Sequence, residues 1–328
     1  MVLGIHKKYS KDGTIKGVLQ ADYYSNQMLR SCRIKEKNEI IVKDMVYIPK
    51  YTQDDFRTKY RDNIKFYETG EIKSIYLEQQ QEIETRVGKV KAELVTFYKS
   101  GHIKRVFPLY GEVNGFWSQE EEKQQLSDTV LEIKGQILRG KMSCIHFYES
   151  GRLKSITLWE DESIVVKSPY GEIEVCKGIS FYESEDIESL EPMKPFYLGI
   201  KEYGFIASAN FANQIHGDIN SLQFTKEGNV RALSSGVTSF ILQSEHEKVI
   251  ISPMFKESDV NVGTFELVPI SIEWVSDMLV IEDSDHKIWK FDRKVFSLKT
   301  TQETSYIKYL EKKKCGDCSS CGSNSCME

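Results

Sequence analysis

Three ten-residue segments of this chain follow one formula, and that repetition restricts the fold more than any other feature. Phe66-Tyr-Glu-Thr-Gly-Glu-Ile-Lys-Ser-Ile75, Phe97-Tyr-Lys-Ser-Gly-His-Ile-Lys-Arg-Val106 and Phe147-Tyr-Glu-Ser-Gly-Arg-Leu-Lys-Ser-Ile156 share Phe-Tyr, a polar pair, Gly, any residue, Ile or Leu, a basic residue, any residue, and Ile or Val. Weaker copies stand at Tyr9–Val18, at Phe181–Leu190 with Glu185 in the place of Gly, and at Phe224–Leu233. A second element, Tyr-Gly-x-Val/Ile, occurs at Tyr110–Val113, Tyr170–Ile173 and Tyr203–Ile206. Each copy of the first formula reads as a β-hairpin. The aromatic pair ends an incoming strand, the polar pair and Gly make a turn that needs positive φ, and the Ile-Lys-x-Ile run begins a half-buried outgoing strand. Phe66 and Tyr67 are adjacent, so they point to opposite faces. Ile72 and Ile75 are three apart and break strict alternation, which predicts a β-bulge or a strand end near Lys73 and Ser74. One hairpin is marginal in water, so successive hairpins must stack to bury their apolar faces.

The hairpin signature of FYETGEIKSI and FYESGRLKSI resembles the MORN-repeat variant of bacterial proteins, including antitoxin-like components of proposed toxin and antitoxin pairs. The resemblance covers residues 60 to 192, with fainter signal at 9 to 20 and 224 to 233. It implies an elongated, twisted antiparallel β-sheet that serves as an interaction scaffold and brings no catalytic residues. The Phe positions 66, 97, 147, 181 and 224 are spaced by 31, 50, 34 and 43 residues. These intervals exceed the family's usual repeat and predict extra strands or loops between the recognisable hairpins.

Composition agrees with a sheet. Tyr and Phe supply 33 of the 37 aromatics, and Gly and Pro make only 28 of 328 residues, too few for a disordered or fibrous chain. Lys plus Arg total 44 against 49 Asp plus Glu, a net charge of -5, which argues against nucleic acid or an anionic membrane as the main partner and leaves proteins or small ligands. No apolar run reaches the ~18 residues of a membrane helix, and the start of the chain lacks a signal-peptide core, so the expected location is cytoplasmic.

Residues 193 to 299 continue as β, with strands expected at Lys248–Ser252, Thr264–Val268 and Met278–Ile281 and a hairpin turn at Asp283–Lys287 leading into Ile288–Phe291. Helix is expected at two places. Ser118–Ser127 reads as a solvated acidic insertion that includes Glu120, Glu121 and Glu122. Residues 301 to 314 read as a short helix capped by Thr300, with Glu303 three residues on. The expected organisation is an N-terminal β segment (1–62), the hairpin repeats (63–192), a second β module (193–299), and a helix with a Cys-rich tail (300–328).

Four of the seven cysteines, Cys315, Cys318, Cys321 and Cys326, fall within twelve residues at the C-terminal end. Their C-x2-C-x2-C-x4-C spacing, with no aliphatic residue among them, needs a ligand or a covalent link for order. Four sulfurs suit zinc or an iron–sulfur cluster, and Lys312, Lys313 and Lys314 favour thiolates; the likeness to ferredoxins is local. Thiol redox chemistry and a tail without chemistry are the alternatives. Cys32, Cys144 and Cys176 read as small buried side chains. The six histidines show no metal or catalytic spacing, and no nucleotide-binding or hydrolase motif occurs. Glu183, Glu185, Asp186 and Glu188 read as exposed edge carboxylates rather than an acid/base pair. The functional expectation is a non-enzymatic β-repeat scaffold that binds a protein partner, with the cysteines as a metal or iron–sulfur appendage. The alternative is a redox or metallocluster accessory protein that acts through the tail. A carbohydrate-active β-enzyme is a third reading.

Overall fold

The computed structural model describes residues 1–52, 57, 62–109, 118–200, 203–210, 217–258, 263–303 and 306. The chain is mainly antiparallel β and divides into two units, residues 1–159 and 160–328. Among the described residues no helix is long and apolar enough to cross a membrane.

The sheet of unit 1 is a meander in which each strand pairs with the next: β1 (Val18–Tyr23), β2 (Leu29–Ile34), β3 (Ile64–Phe66), β4 (Ile72–Thr85), β5 (Gly88–Phe97), β6 (Ile103–Phe107), β7 (Met142–Phe147) and β8 (Leu153–Leu158). All three strong copies of the formula form hairpins with one turn geometry. In the first, Tyr67 N–H donates to the Glu71 carbonyl at 2.8 Å and Gly70 N–H to the Tyr67 carbonyl at 2.9 Å. Gly70 takes φ +91°, the left-handed conformation in which a Cβ is unfavourable. Tyr98 with Gly101 and Tyr148 with Gly151 repeat both bonds.

The irregular spacing of Ile72 and Ile75 is a bulge. Phe66 pairs with Ile72 and Lys65 with Ser74, so Lys73 is the extra residue, and both isoleucines are buried. Lys104 and Lys154 are the extra residues of the other two copies. Across the strands Cys32, Ile64, Ile75, Val95, Val106, Ile145 and Ile156 are successive neighbours, all 0% exposed. Phe66, Phe97 and Phe147 are buried beside this row. Each such side chain contributes roughly 1.5–3 kcal/mol by burial.

Segments between the hairpins complete this core. The hairpin Ile40–Val42/Met45–Tyr47 buries Ile40, Val42 and Tyr47, and the Tyr47 ring meets Phe97 edge-on at 5.3 Å. The hairpin Thr129–Ile133/Gln136–Gly140 buries Leu131, Ile133 and Leu138, and its Glu132 N–H donates to the Val87 carbonyl. The long intervals between copies of the formula therefore hold added β-ribbons, as the spacing predicts.

Unit 2 repeats the plan. Its β9 (Ser163–Ser168) pairs with β10 (Gly171–Phe181), which continues as a meander through β11 (Ile187–Pro192), β12 (Leu222–Phe224), β13 (Val230–Ser235), β14 (Ile270–Val275), β15 (Met278–Glu282) and β16 (Ile288–Asp292). Glu185 occupies the Gly position at φ +69°, and the bulged residues are Glu188 and Arg231. The expected strands near 248, 265, 278 and 288 are present, and Asp283–Lys287 forms the expected turn.

Three expectations need correction. Tyr9–Val18 does not form a repeat hairpin: Tyr9 is buried in the short 3-10 turn Lys7–Tyr9, and Gly13 N–H donates to Ser10. That segment closes the short antiparallel pair Leu3–Gly4/Thr14–Ile15, and the first hairpin with the turn of the formula is β1/β2, where Tyr24 N–H donates to the Met28 carbonyl and Gln27 takes φ +65°. Thr300 is not a helix cap, because Ser297–Gln302 is a strand paired with Thr238–Gln243; residues 307–314 of the expected helix lie outside the described residues.

The acidic insertion is also less solvated than expected. A short helix, α1 (Gln119–Gln124), begins with a Ser118–Glu121 capping box. Glu122 on it is buried and ion-paired with Arg57, which also binds buried Glu93. Burial opposes the Arg57 charge, but the hydrogen bonds it donates to the two carboxylates, with their charges, outweigh burial and raise its pKa.

Candidate functional site

The face of the unit 1 sheet opposite the apolar row carries the tyrosines of the formula. Tyr24, Tyr67 and Tyr98 each reach across to the next hairpin. Tyr24 Oη donates to the Phe66 carbonyl at 2.8 Å, Tyr67 Oη to Phe97 at 2.7 Å, and Tyr98 Oη to Phe147 at 2.9 Å. Tyr182 donates to Phe224 at 2.7 Å within unit 2. The Phe-Tyr pair thus links the array: Phe supplies core and a carbonyl acceptor, and Tyr supplies the donor for the following hairpin.

The bulge gives the basic residue of the formula its place. An extra residue re-aims its side chain, and in each unit 1 hairpin that side chain lies over the hairpin's own tyrosine. Arg30 lies 6.0 Å from the Tyr24 ring centroid, Lys73 5.8 Å from Tyr67, Lys104 5.5 Å from Tyr98 and Lys154 5.5 Å from Tyr148. Lys99 approaches Tyr67 from the next hairpin. The Tyr67 hydroxyl is held above its ordinary pKa by burial, then by the charge of Glu149 and by Tyr24.

Strand register adds a polar row to this face. Asp22, Ser31, Lys65, Ser74, Thr96, Arg105, His146 and Ser155 are successive cross-strand neighbours. At its centre lies a basin of about 370 Å³, walled by Lys65, Lys73, Lys104 and Arg105 and floored partly by Tyr76 and Phe107. Asp62 is its one carboxylate among the described residues. Among the described residues Lys65, Lys73 and Lys104 form no ion pair, so their charges are available to a ligand.

Charge is divided between the units. Residues 1–159 hold 27 Lys and Arg against 21 Asp and Glu, whereas residues 160–328 hold 17 against 28. The net charge of the whole chain conceals a basic half.

Unit 2 carries a different basin on its corresponding face, of about 350 Å³ and lined in part by Glu191, Asn220, Glu273 and Glu282. Glu191 is fully buried. Its carboxyl accepts Asn210 N–H at 2.8 Å, Ser221 N–H at 3.0 Å and Ser221 Oγ–H at 2.6 Å. Burial raises its pKa against the pull of those donors. Its oxygens are committed to anchoring residues 210 and 221, a structural role.

Of the residues singled out in the sequence, Cys315, Cys318, Cys321 and Cys326 lie outside the described residues. Cys32, Cys144 and Cys176 are buried, but only Cys32 and Cys144 are the small free thiols expected; Cys176 is disulfide-bonded, which corrects the reading of it as a plain buried side chain. Burial followed by the charge of Asp62 pushes the Cys32 thiol up to about 12, far from a reactive thiolate. Among the described residues no group of three His, Cys, Asp or Glu is placed to hold a metal. The basin at Lys65 and Arg105 went unread in the sequence because the four cations that wall it come from strands β3, β4 and β6. The signal was present in part, since Lys73 and Lys104 are the basic residue of the formula.

No family model, curated protein or solved structure matches the chain.

Proposed function

We propose that this protein is a non-enzymatic β-repeat scaffold that binds an acidic segment of a protein partner on the polar face of unit 1. The observation that carries this reading is the basin lined by Lys65, Lys73, Lys104 and Arg105, with Asp62 as its one carboxylate among the described residues. Carboxylate side chains of an incoming segment complement that charge, and the rigid sheet holds the cations in place before binding. Protein fits better than single-stranded nucleic acid. Base stacking needs open aromatic faces, and here the rings of Tyr67 and Tyr98 are overlain by Lys73 and Lys104. The MORN-variant resemblance of the hairpins supports a scaffold role. The cysteines Cys315, Cys318, Cys321 and Cys326 add to it a proposed metal or iron–sulfur appendage.

Fluorescence anisotropy with a labelled oligo-glutamate peptide tests the reading, with single-stranded RNA as the competing ligand. The peptide should bind in a salt-dependent way, and K65E/K104E should weaken it at least tenfold. Tighter binding of RNA, or equal binding by the variant, sinks the proposal.

A further inference from the structure

The two units present different charges on corresponding faces of their sheets. In unit 2 the cross-strand row Ser189, Gln223, Ala232, Glu273 and Val280 occupies the place that Lys65, Ser74, Thr96 and Arg105 hold in unit 1. The unit 2 basin adjoins this row, and among the described residues no Lys, Arg or His lines it. Glu273 is exposed and has no ion pair among the described residues. Glu282 bonds His286 Nδ1 at 2.6 Å. Asn220, 1% exposed, also lines this basin; its Nδ2 donates to Ser189 Oγ and to the Gly217 carbonyl, and its buried Oδ1 has no partner among the described residues. Side chains that bring N–H groups, lysine or arginine, would suit the carboxylates.

We propose that the acidic face of unit 2 on a second copy of the chain is the partner of the basic face of unit 1, so that copies associate head to tail. This rests on the basic-face reading above and names its ligand. The charge division agrees with it: the basic half has an excess of six cations and the acidic half an excess of eleven anions. Both basins lie on sheet faces and are of similar size, about 370 and 350 Å³. A contact between two different surfaces is heterologous, so association continues into rings or chains rather than stopping at a symmetric pair. Like faces repel, which disfavours the alternative pairings.

The test is sedimentation velocity on the full chain over a concentration series. Association is expected at low salt and is lost near about 1 M salt, where the screening length falls to about 3 Å. The variants K65E/K104E and E273K/E282K should each remain monomeric alone and associate when mixed in equal amounts. Far-UV circular dichroism verifies that each is folded, and K65Q/K104Q with E273Q/E282Q replaces any pair that is not. A wild-type chain that is monomeric at low salt overturns the inference, and so does association that survives in either variant alone. If the wild type is monomeric yet still binds oligo-glutamate, the head-to-tail contact falls and the basic-face reading stands. If it does neither, both fall.

Discussion

Removing one hydroxyl from the tyrosine ladder should loosen the contact between two hairpins while leaving each hairpin intact. In Tyr67→Phe the ring, its packing and its approach to Lys73 and Lys99 persist, but the 2.7 Å bond to the Phe97 carbonyl is lost. A net hydrogen bond is worth about 1 kcal/mol, and a carbonyl left without its donor adds to the cost, so about 1–2 kcal/mol is expected. The chain has two units, so one global unfolding curve is a poor measure; local opening is better. Amide hydrogen exchange where β4 meets β5, around Ile75 and Val95, should accelerate by about 5–30-fold. Tyr23→Phe is the control, because its exposed hydroxyl has no hydrogen-bond partner among the described residues. The Tyr67/Tyr98 double variant should depart from additivity, since the acceptor of the first tyrosine adjoins the second. If Tyr67→Phe exchanges as slowly as Tyr23→Phe, the hydroxyls do not couple the hairpins and the account of the Phe-Tyr pair is wrong.

Tyr47, Tyr67 and Tyr182 all have pKa values raised above the ordinary range, with burial the largest cause in each. Their stabilisation is complete below the unfolded value of about 10 and is lost as pH rises through the higher folded values, so thermal midpoints should fall steeply on the alkaline side, and less steeply in Tyr67→Phe. Arg57→Leu leaves Glu93 and Glu122 buried without their cation and should cost about 3–5 kcal/mol by denaturant unfolding; an unchanged midpoint would show that the cluster is not holding α1. For the tail, protein purified without oxygen should carry either zinc or iron with acid-labile sulfide, the latter with a broad band near ~400 nm, and truncation after Lys314 should remove it; a full-length chain free of metal refutes the tail reading.

The hairpins were legible because their formula is local. Turn, bulge and strand are all determined within ten residues, so the spacing of Ile72 and Ile75 already pointed to the extra residue at Lys73. The hairpin β1/β2 is not legible from the formula because Tyr24 and Gln27 meet the same geometry without glycine, while the segment with Gly13 closes a different pair, Leu3–Gly4 with Thr14–Ile15. Left-handed φ at Gln27 and Glu185 carries a cost that tertiary packing offsets, and no local pattern reports that offset. The strand at Ser297–Gln302 is hidden for a related reason. Its fit to a helix cap was local, but its pairing partner, Thr238–Gln243, lies about sixty residues earlier.

The candidate site was half legible, and the missing half is a matter of register. Lys73 and Lys104 belong to the formula, but Lys65 and Arg105 join them only because Lys65 pairs with Ser74, Ser74 with Thr96 and Thr96 with Arg105. A one-residue slip in any pairing would turn that strand's members toward the apolar core. The buried row of Ile64, Ile75, Val95 and Val106 opposes such a slip, since it would expose side chains that are now wholly buried. The core therefore fixes the position of the cations on the other face. Whole-chain charge obscured this arrangement, because an average over 328 residues cannot show that the basic excess lies in one unit and the acidic excess in the other. In a repeat sheet, net charge bears on solubility, whereas recognition depends on which side chains the pairing register brings together.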